Sequence, residues 1–122
     1  YYARNVIDGN SGTAWVEGAS DSGIGEKIFF KSSSEQKVSY LKIMNGYCKS
    51  EDLYMKNNRV KNIRVVFSDG TSIDGSLNDE FANYDLIVLT EPVFCNEFYI
   101  EITDVYRGTH YDDTCISEIV IG

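Results

Sequence analysis

One proline, three cysteines and one histidine occur in 122 residues, and 11 basic side chains face 19 acidic ones. Each scarcity removes a class of protein. A single proline with ten glycines excludes collagen-like and linker sequence. Three cysteines are an odd number, so at most one internal disulfide closes and one thiol is left over. No C-x-x-C is present and His110 is the only imidazole, so no zinc-site spacing exists. The plain reading of Cys48, Cys95 and Cys115 is three small buried thiols, with a bridge from Cys48 to either of the others left open. A net charge of −8 lacks the basic face that nucleic-acid phosphates require. The same charge gives anionic lipid nothing to attract, so no membrane insertion is expected. No apolar run approaches the roughly 18 residues of a membrane helix.

What is present is 43% apolar, enough for one globular domain with its own core. The chain opens Tyr1-Tyr2-Ala3-Arg4, without Met or a signal-peptide pattern, and reads as a piece of a longer protein. No repeat, low-complexity block or linker interrupts it, so a single domain over 1–122 is expected.

The dominant hydrophobic period is two, the signature of strands. Ile63, Val65 and Phe67 fall on one face of their segment, and Asn62 and Arg64 on the other. Phe98, Ile100 and Ile102 alternate with Glu101 and Thr103 in the same way. Strands are predicted over 26–31, 38–45, 61–67, 71–77, 84–90, 98–103 and 115–121. Ser68-Asp69-Gly70-Thr71 predicts a tight hairpin, with Asp-Gly supplying the two positive φ values of a type I′ turn. No helical periodicity extends over ten residues. The fold class is therefore all-β, an antiparallel β-sandwich of jelly-roll type.

Three segments carry chemistry. Residues 5–15 crowd oxygen donors into a glycine-punctuated loop, the kind of chain a hard cation such as Ca²⁺ can gather round itself. Asp8 offers a carboxylate there, and Asn10 and Thr13 side-chain or main-chain oxygens. A plain turn held by side-chain hydrogen bonds is the alternative. The second segment follows the strand ending near 45 and carries Tyr47, Tyr54, Asn57, Asn58 and Arg59. Aromatic rings beside amides and a guanidinium suit a sugar, whose C–H face stacks while paired hydroxyls are hydrogen-bonded. A polar surface loop with a tyrosine over the core is the alternative. The third segment, 104–114, combines Tyr106, Arg107, His110 and Tyr111 with several acids. His110 has no sequence partner for proton transfer and reads as polar surface. Nucleophile-elbow, metalloprotease and phosphate-loop motifs are all missing, so no catalytic residue is assigned and the chain reads as a non-enzyme.

Together these segments resemble one family. Asp8-Gly9-Asn10 with Thr13-Ala14-Trp15 near the start, and Ile116-Ser117-Glu118-Ile119 at the end, are similar to the two ends of a discoidin-type domain. That fold is the galactose-binding-like jelly roll, also called the coagulation-factor type C domain. Trp15-Val16-Glu17-Gly18, Gly23-Ile24-Gly25-Glu26, Asn45-Gly46-Tyr47, Asn58-Arg59-Val60-Lys61 and Asp113-Thr114-Cys115-Ile116-Ser117-Glu118 resemble its branch named for the translocation domain of streptococcal NAD-glycohydrolase toxin. The resemblance implies a structural Ca²⁺ joining the first loop to a carboxylate near the C-terminus. Asn5, Asp8, Asn10, Thr13 and Glu118 are the matching ligands. It also implies a glycan site on loops at one end of the sandwich. Tyr47, Asn58, Arg59, Tyr106 and Tyr111 match or neighbour it, with Glu17 and Glu26 as acidic candidates. The expected function is a glycan-binding module that brings a secreted or cell-surface parent, bacterial in kind, to glycans. A protein-interaction or toxin-translocation module using the same loops is the alternative, and a hydrolase the third reading.

Overall fold

The computed structural model describes residues 15–16, 24–111 and 113–122, which form six strands and one short helix. The strands are β1 (Trp15–Val16), β2 (Lys27–Asn45), β3 (Asn58–Phe67), β4 (Ser72–Ser76), β5 (Tyr84–Tyr106) and β6 (Thr114–Ile121). The helix, α1, spans Glu51–Lys56 between β2 and β3. Hydrogen bonding runs in the order β1-β6-β2-β5-β3-β4, with neighbours antiparallel. A short parallel contact, Asn58 beside Thr114 and Arg59 beside Cys115, joins β3 to β6.

Two pairs of expected strands are each one long strand. Segments 26–31 and 38–45 merge in β2, and 84–90 and 98–103 merge in β5. A straight strand as long as β5 would run about 75 Å. A domain of this size is only about 35 Å across, so both strands must fold over. The register shows where. Lys31 pairs with Glu97 and Gln36 with Cys95, so four residues of β2 stand against one of β5. Val38 pairs with Val93 and Tyr40 with Val88, so the excess there lies on β5. Pro92 sits in that second irregularity, where its missing N–H interrupts no regular ladder.

These bends divide the sheet into two facing layers. The front layer holds residues 27–31, β3, β4 and 97–106. The back layer holds 38–45, 84–93, β6 and β1. At one point the layers meet closely: a Cβ on Gly75 of β4 would lie 2.8 Å from the Ile87 side chain of β5. The core fills the space between, with Ile28, Ile63, Val65 and Ile102 from the front and Leu41, Ile43, Ile116 and Ile119 from the back. Each such side chain contributes about 1.5–3 kcal/mol by leaving water. The alternation read from 63–67 and 98–102 is the burial pattern observed. The architecture is the antiparallel jelly-roll sandwich expected.

The hairpin between β3 and β4 is present, but its turn differs from the type I′ expected. Only Gly70 has positive φ, at +93°, while Asp69 stays in the ordinary region. The Gly70 N–H donates to the Phe67 carbonyl at 3.0 Å, and the Asp69 carboxylate accepts from the Thr71 N–H at 2.8 Å. This is a three-residue connection, in which a turn is closed by a left-handed glycine. The three cysteines are buried thiols outside any disulfide, in line with the plain reading.

Candidate functional site

The register places one end of β2, the start of β3, both ends of β5 and the start of β6 together. Met44 pairs with Tyr84, Arg59 with Tyr106, and Asn58 with Thr114. Three connections therefore gather at this end of the sandwich: 46–57, 77–83 and the one that begins with 107–111.

The first is not the plain loop expected, because it contains α1. Ser50 caps it, its hydroxyl accepting from the Leu53 N–H at 3.1 Å, and Glu51 and Asp52 occupy the first turn. Lys56 in the last turn pairs with Asp52 at 2.9 Å. The chain enters the helix through Gly46, whose φ is +78° and where a Cβ would lie 2.5 Å from the Tyr54 ring. The third connection wraps the helix C-terminus. N–H groups of Thr109, His110 and Tyr111 donate to the carbonyls of Met55 and Lys56. Gly108 is required for this seating, since any Cβ there would collide with the Lys56 carbonyl and the Asn57 backbone.

Arg59 lies at the centre and is only 4% exposed. Its Nε and Nη2 donate to the two oxygens of Asp79, at 2.9 and 2.7 Å, in a bidentate pair. Its Nη1 donates to the Asn57 carbonyl at 3.1 Å, and its guanidinium lies 5.1 Å from the centre of the Tyr54 ring. The Tyr54 hydroxyl donates to Asp79 Oδ1 at 2.6 Å. The Arg59 guanidinium holds the Asp79 carboxyl below the usual carboxylate range, with the Tyr54 hydroxyl adding to it against partial desolvation. Burial, reinforced by Asp79, pushes the Tyr54 phenol well above its ordinary value.

The 77–83 connection is pinned along its length. Tyr106 donates its hydroxyl to the Leu77 carbonyl at 2.8 Å. Asp85 accepts from both the backbone and the side-chain amide of Asn78. The Asn83 amide donates to Glu80 at 2.6 Å. Ala82 adopts φ +55°, a left-handed conformation that costs a non-glycine residue about 1–2 kcal/mol. Beside it Phe81 meets Tyr54 edge-on, with ring centres 5.6 Å apart, and remains partly exposed. The result is a fixed, half-exposed carboxylate flanked by exposed Phe81, with Met55 and Tyr111 also exposed at this end.

The NAD glycohydrolase translocation F5/8 type C domain model matches residues 1–122. The chain belongs to that family. Among solved structures, the translocation domain of Streptococcus pyogenes NAD+-glycohydrolase is 25% identical, with a TM-score of 0.66, covering 88% of this chain and 95% of that one. The family 32 carbohydrate-binding module of C. perfringens NanJ, solved in complex with galactose, is 18% identical with a TM-score of 0.69, covering 98% and 82%. The corresponding module of Streptococcus pneumoniae EndoD is 12% identical with a TM-score of 0.74, covering 98% and 84%. At these lower identities the likeness is one of fold. Among curated proteins no match is found. Among the described residues, no helix is long and apolar enough to cross a membrane.

In this translocation-type F5/8 domain, the residues expected at a glycan site divide into groups. Arg59, Tyr106 and Tyr111 stand at the loop end, and Tyr47 follows Gly46 there, half-buried. Tyr111 is 50% exposed. Asn58 is at the same end but only 1% exposed, with its Oδ1 accepting from the Gly108 N–H at 2.7 Å. The Asn57 amide caps α1 by donating to the Leu53 carbonyl at 2.9 Å. Asn45 extends a strand with its side chain, donating to the Val60 carbonyl and accepting from the Val60 N–H. Thus the amides expected to meet sugar hydroxyls hold the loops in place. Glu26 lies elsewhere, its carbonyl accepting from Ile102 within the front layer. Asp79 and Phe81 were not singled out in the sequence. Their only signal is the polar run Asn78-Asp79-Glu80 between two strands.

Glu17 and the ligands Asn5, Asp8, Asn10 and Thr13 lie outside the described residues. Glu118, the distant carboxylate of that set, is buried on β6 and accepts from the Tyr84 hydroxyl at 3.0 Å. Among the described residues no three His, Cys, Asp or Glu side chains cluster as a metal site.

Proposed function

We propose that this domain is a non-catalytic glycan-binding module, and that its ligand meets the loop end around Asp79. The observation that carries the reading is the locked Arg59–Asp79 pair beside exposed Phe81. A carboxylate whose geometry is fixed from behind accepts sugar hydroxyls without being ordered at the moment of binding. Partly exposed rings offer faces for the C–H side of a pyranose. Tyr111 and Tyr47 widen the same surface. Arg59 acts here by positioning Asp79. The structural neighbour that holds galactose supports a glycan as the ligand class.

The module would bring a secreted or cell-surface parent to glycans. The test is a glycan array probed with the 122-residue chain, Phe81→Ala and Asp79→Asn. Wild-type binding to a defined neutral sugar set, lost in both variants while they remain folded, supports the reading. Equal binding by all three removes this end of the sandwich from the site.

The family description favours a second reading, in which the domain acts in translocation of a toxin and the loops grip a protein. An array without signal from folded chain, followed by capture of a host protein that Phe81→Ala fails to capture, favours it.

We also propose a structural Ca²⁺ held by Asn5, Asp8, Asn10, Thr13 and Glu118. Glu118 fits the part, because among the described residues the donor facing its buried carboxylate is the phenol of Tyr84, with no ion pair to it. A buried carboxylate with no cation beside it is costly. When bound, the ion ties the start of the chain to β6.

A further inference from the structure

The cross-strand register aligns the outward side chains of the front layer in rows. Lys27 pairs with Glu101, Glu101 with Arg64, and Arg64 with Asp74, so one row reads plus, minus, plus, minus across four strands. Arg64 and Asp74 are already bonded at 3.0 Å. The adjacent row reads Phe29, Tyr99, Val66, Ser72. Phe29 is 59% exposed, with its ring 5.6 Å from that of Tyr99. Beyond it Lys31 pairs with Glu97. In a chain of net charge −8 this face is locally neutral, with three bases balancing three acids.

An alternating row of four has a geometric property. Reversed end to end, it presents minus where it had plus. A twofold axis parallel to the strands reverses each row and leaves its height unchanged. Two copies packed by their front layers around such an axis place Lys27 over Asp74 and Glu101 over Arg64. Tyr99 then meets Val66 in the apolar row between.

We propose that the front layer is a self-complementary surface whose partner is a second copy of this chain. The interface is self-matching, as a twofold requires. A face of four strands and three rows measures roughly 20 Å on a side, at the small end of specific interfaces. The dimer therefore forms at high local concentration. Because the axis runs along the strands, both loop ends point the same way. Resting on the glycan reading above, the pair presents two binding ends to one surface, which multiplies weak affinities.

Carbodiimide coupling of the 122-residue chain at millimolar concentration tests the proposal without any glycan. Within one copy, Lys27 and Asp74 lie on the two edge strands of the layer, about 14 Å apart. A zero-length amide between them can therefore form only between copies. The expected product is a dimer of twice 13.8 kDa whose linked peptide joins Lys27 to Asp74. Glu101→Arg or Arg64→Glu alone sets like charges face to face and abolishes the product. Together they restore it, because the row plus, plus, minus, minus also matches its own reverse. Phe29→Asp, on an exposed ring, abolishes it with the thermal midpoint retained. A monomer in sedimentation at that concentration overturns the proposal. So does a dimer without the Lys27–Asp74 link, or a folded double variant that fails to recover it.

Discussion

Arg59 and Asp79 grip each other through two charged hydrogen bonds while Tyr54 holds Asp79 from the side. Arg59 is the buried partner and Asp79 the half-exposed one. Arg59→Ala leaves that carboxylate without its cation and also strips donors from the Asn57 carbonyl. Because the carboxylate left behind is partly solvated, a loss of about 1.5–3 kcal/mol in urea unfolding is expected. Asp79→Asn keeps the shape and loses the charge, and about 1–2 kcal/mol is expected by the same measurement. The pH dependence follows from the lowered Asp79 value. The contribution of the pair is full above the ordinary carboxylate pKa, about 3.9. It is lost as pH falls through the lower folded-state value. Thermal unfolding of wild type and Asp79→Asn in that acid window should converge. The sequence places Arg59 among the residues expected to touch a ligand. It could not show Asp79, whose partnership spans 20 positions and leaves no local pattern.

The strands were legible because each buries one face, and alternation at 63–67 and 98–102 is the direct record of that. The merging of four expected strands into β2 and β5 was not legible. A bend made by register slippage leaves polar residues such as 32–35 looking like a loop. The hairpin is legible in Asp69-Gly70, but Asp-Gly serves both a type I′ turn and a turn closed by one left-handed glycine. Which one forms depends on strand twist. Helix α1 escaped because six residues are too few to show a period of 3.6. Its signals were local: Ser50 ahead of two acids, and Lys56 at the end. Ser50→Ala should cost about 1 kcal/mol of stability, measured by denaturant unfolding. A Gly108→Ala exchange acts on the same element from outside. It unseats the 107–111 segment from the helix C-terminus, and amide exchange at Thr109–Tyr111 should accelerate while β3 stays protected.

At the scale of the molecule, two long bent strands fold one sheet into a sandwich and bring three connections to one end. The same topology sets the outward rows of the front layer, which the proposed second copy would meet. The proposed Ca²⁺ is also a whole-molecule feature, because it would join chain segments far apart in sequence. Ion at a hundred times its dissociation constant should stabilise the fold by about 2.7 kcal/mol. Calorimetry in calcium and in chelator reads this shift, and Glu118→Gln should remove it. An unchanged melting temperature in wild type would remove the ion from the account. The proposed ligand of the loop end around Asp79 is a neutral sugar. The most direct measurement is a nitrogen-15 amide titration of the 122-residue chain with galactose. Saturable shifts confined to 46–57, 77–83 and 107–111, and absent in Phe81→Ala, are expected. Saturable shifts centred on another surface, or none up to high millimolar sugar or with the array's other neutral glycans, would contradict that proposal.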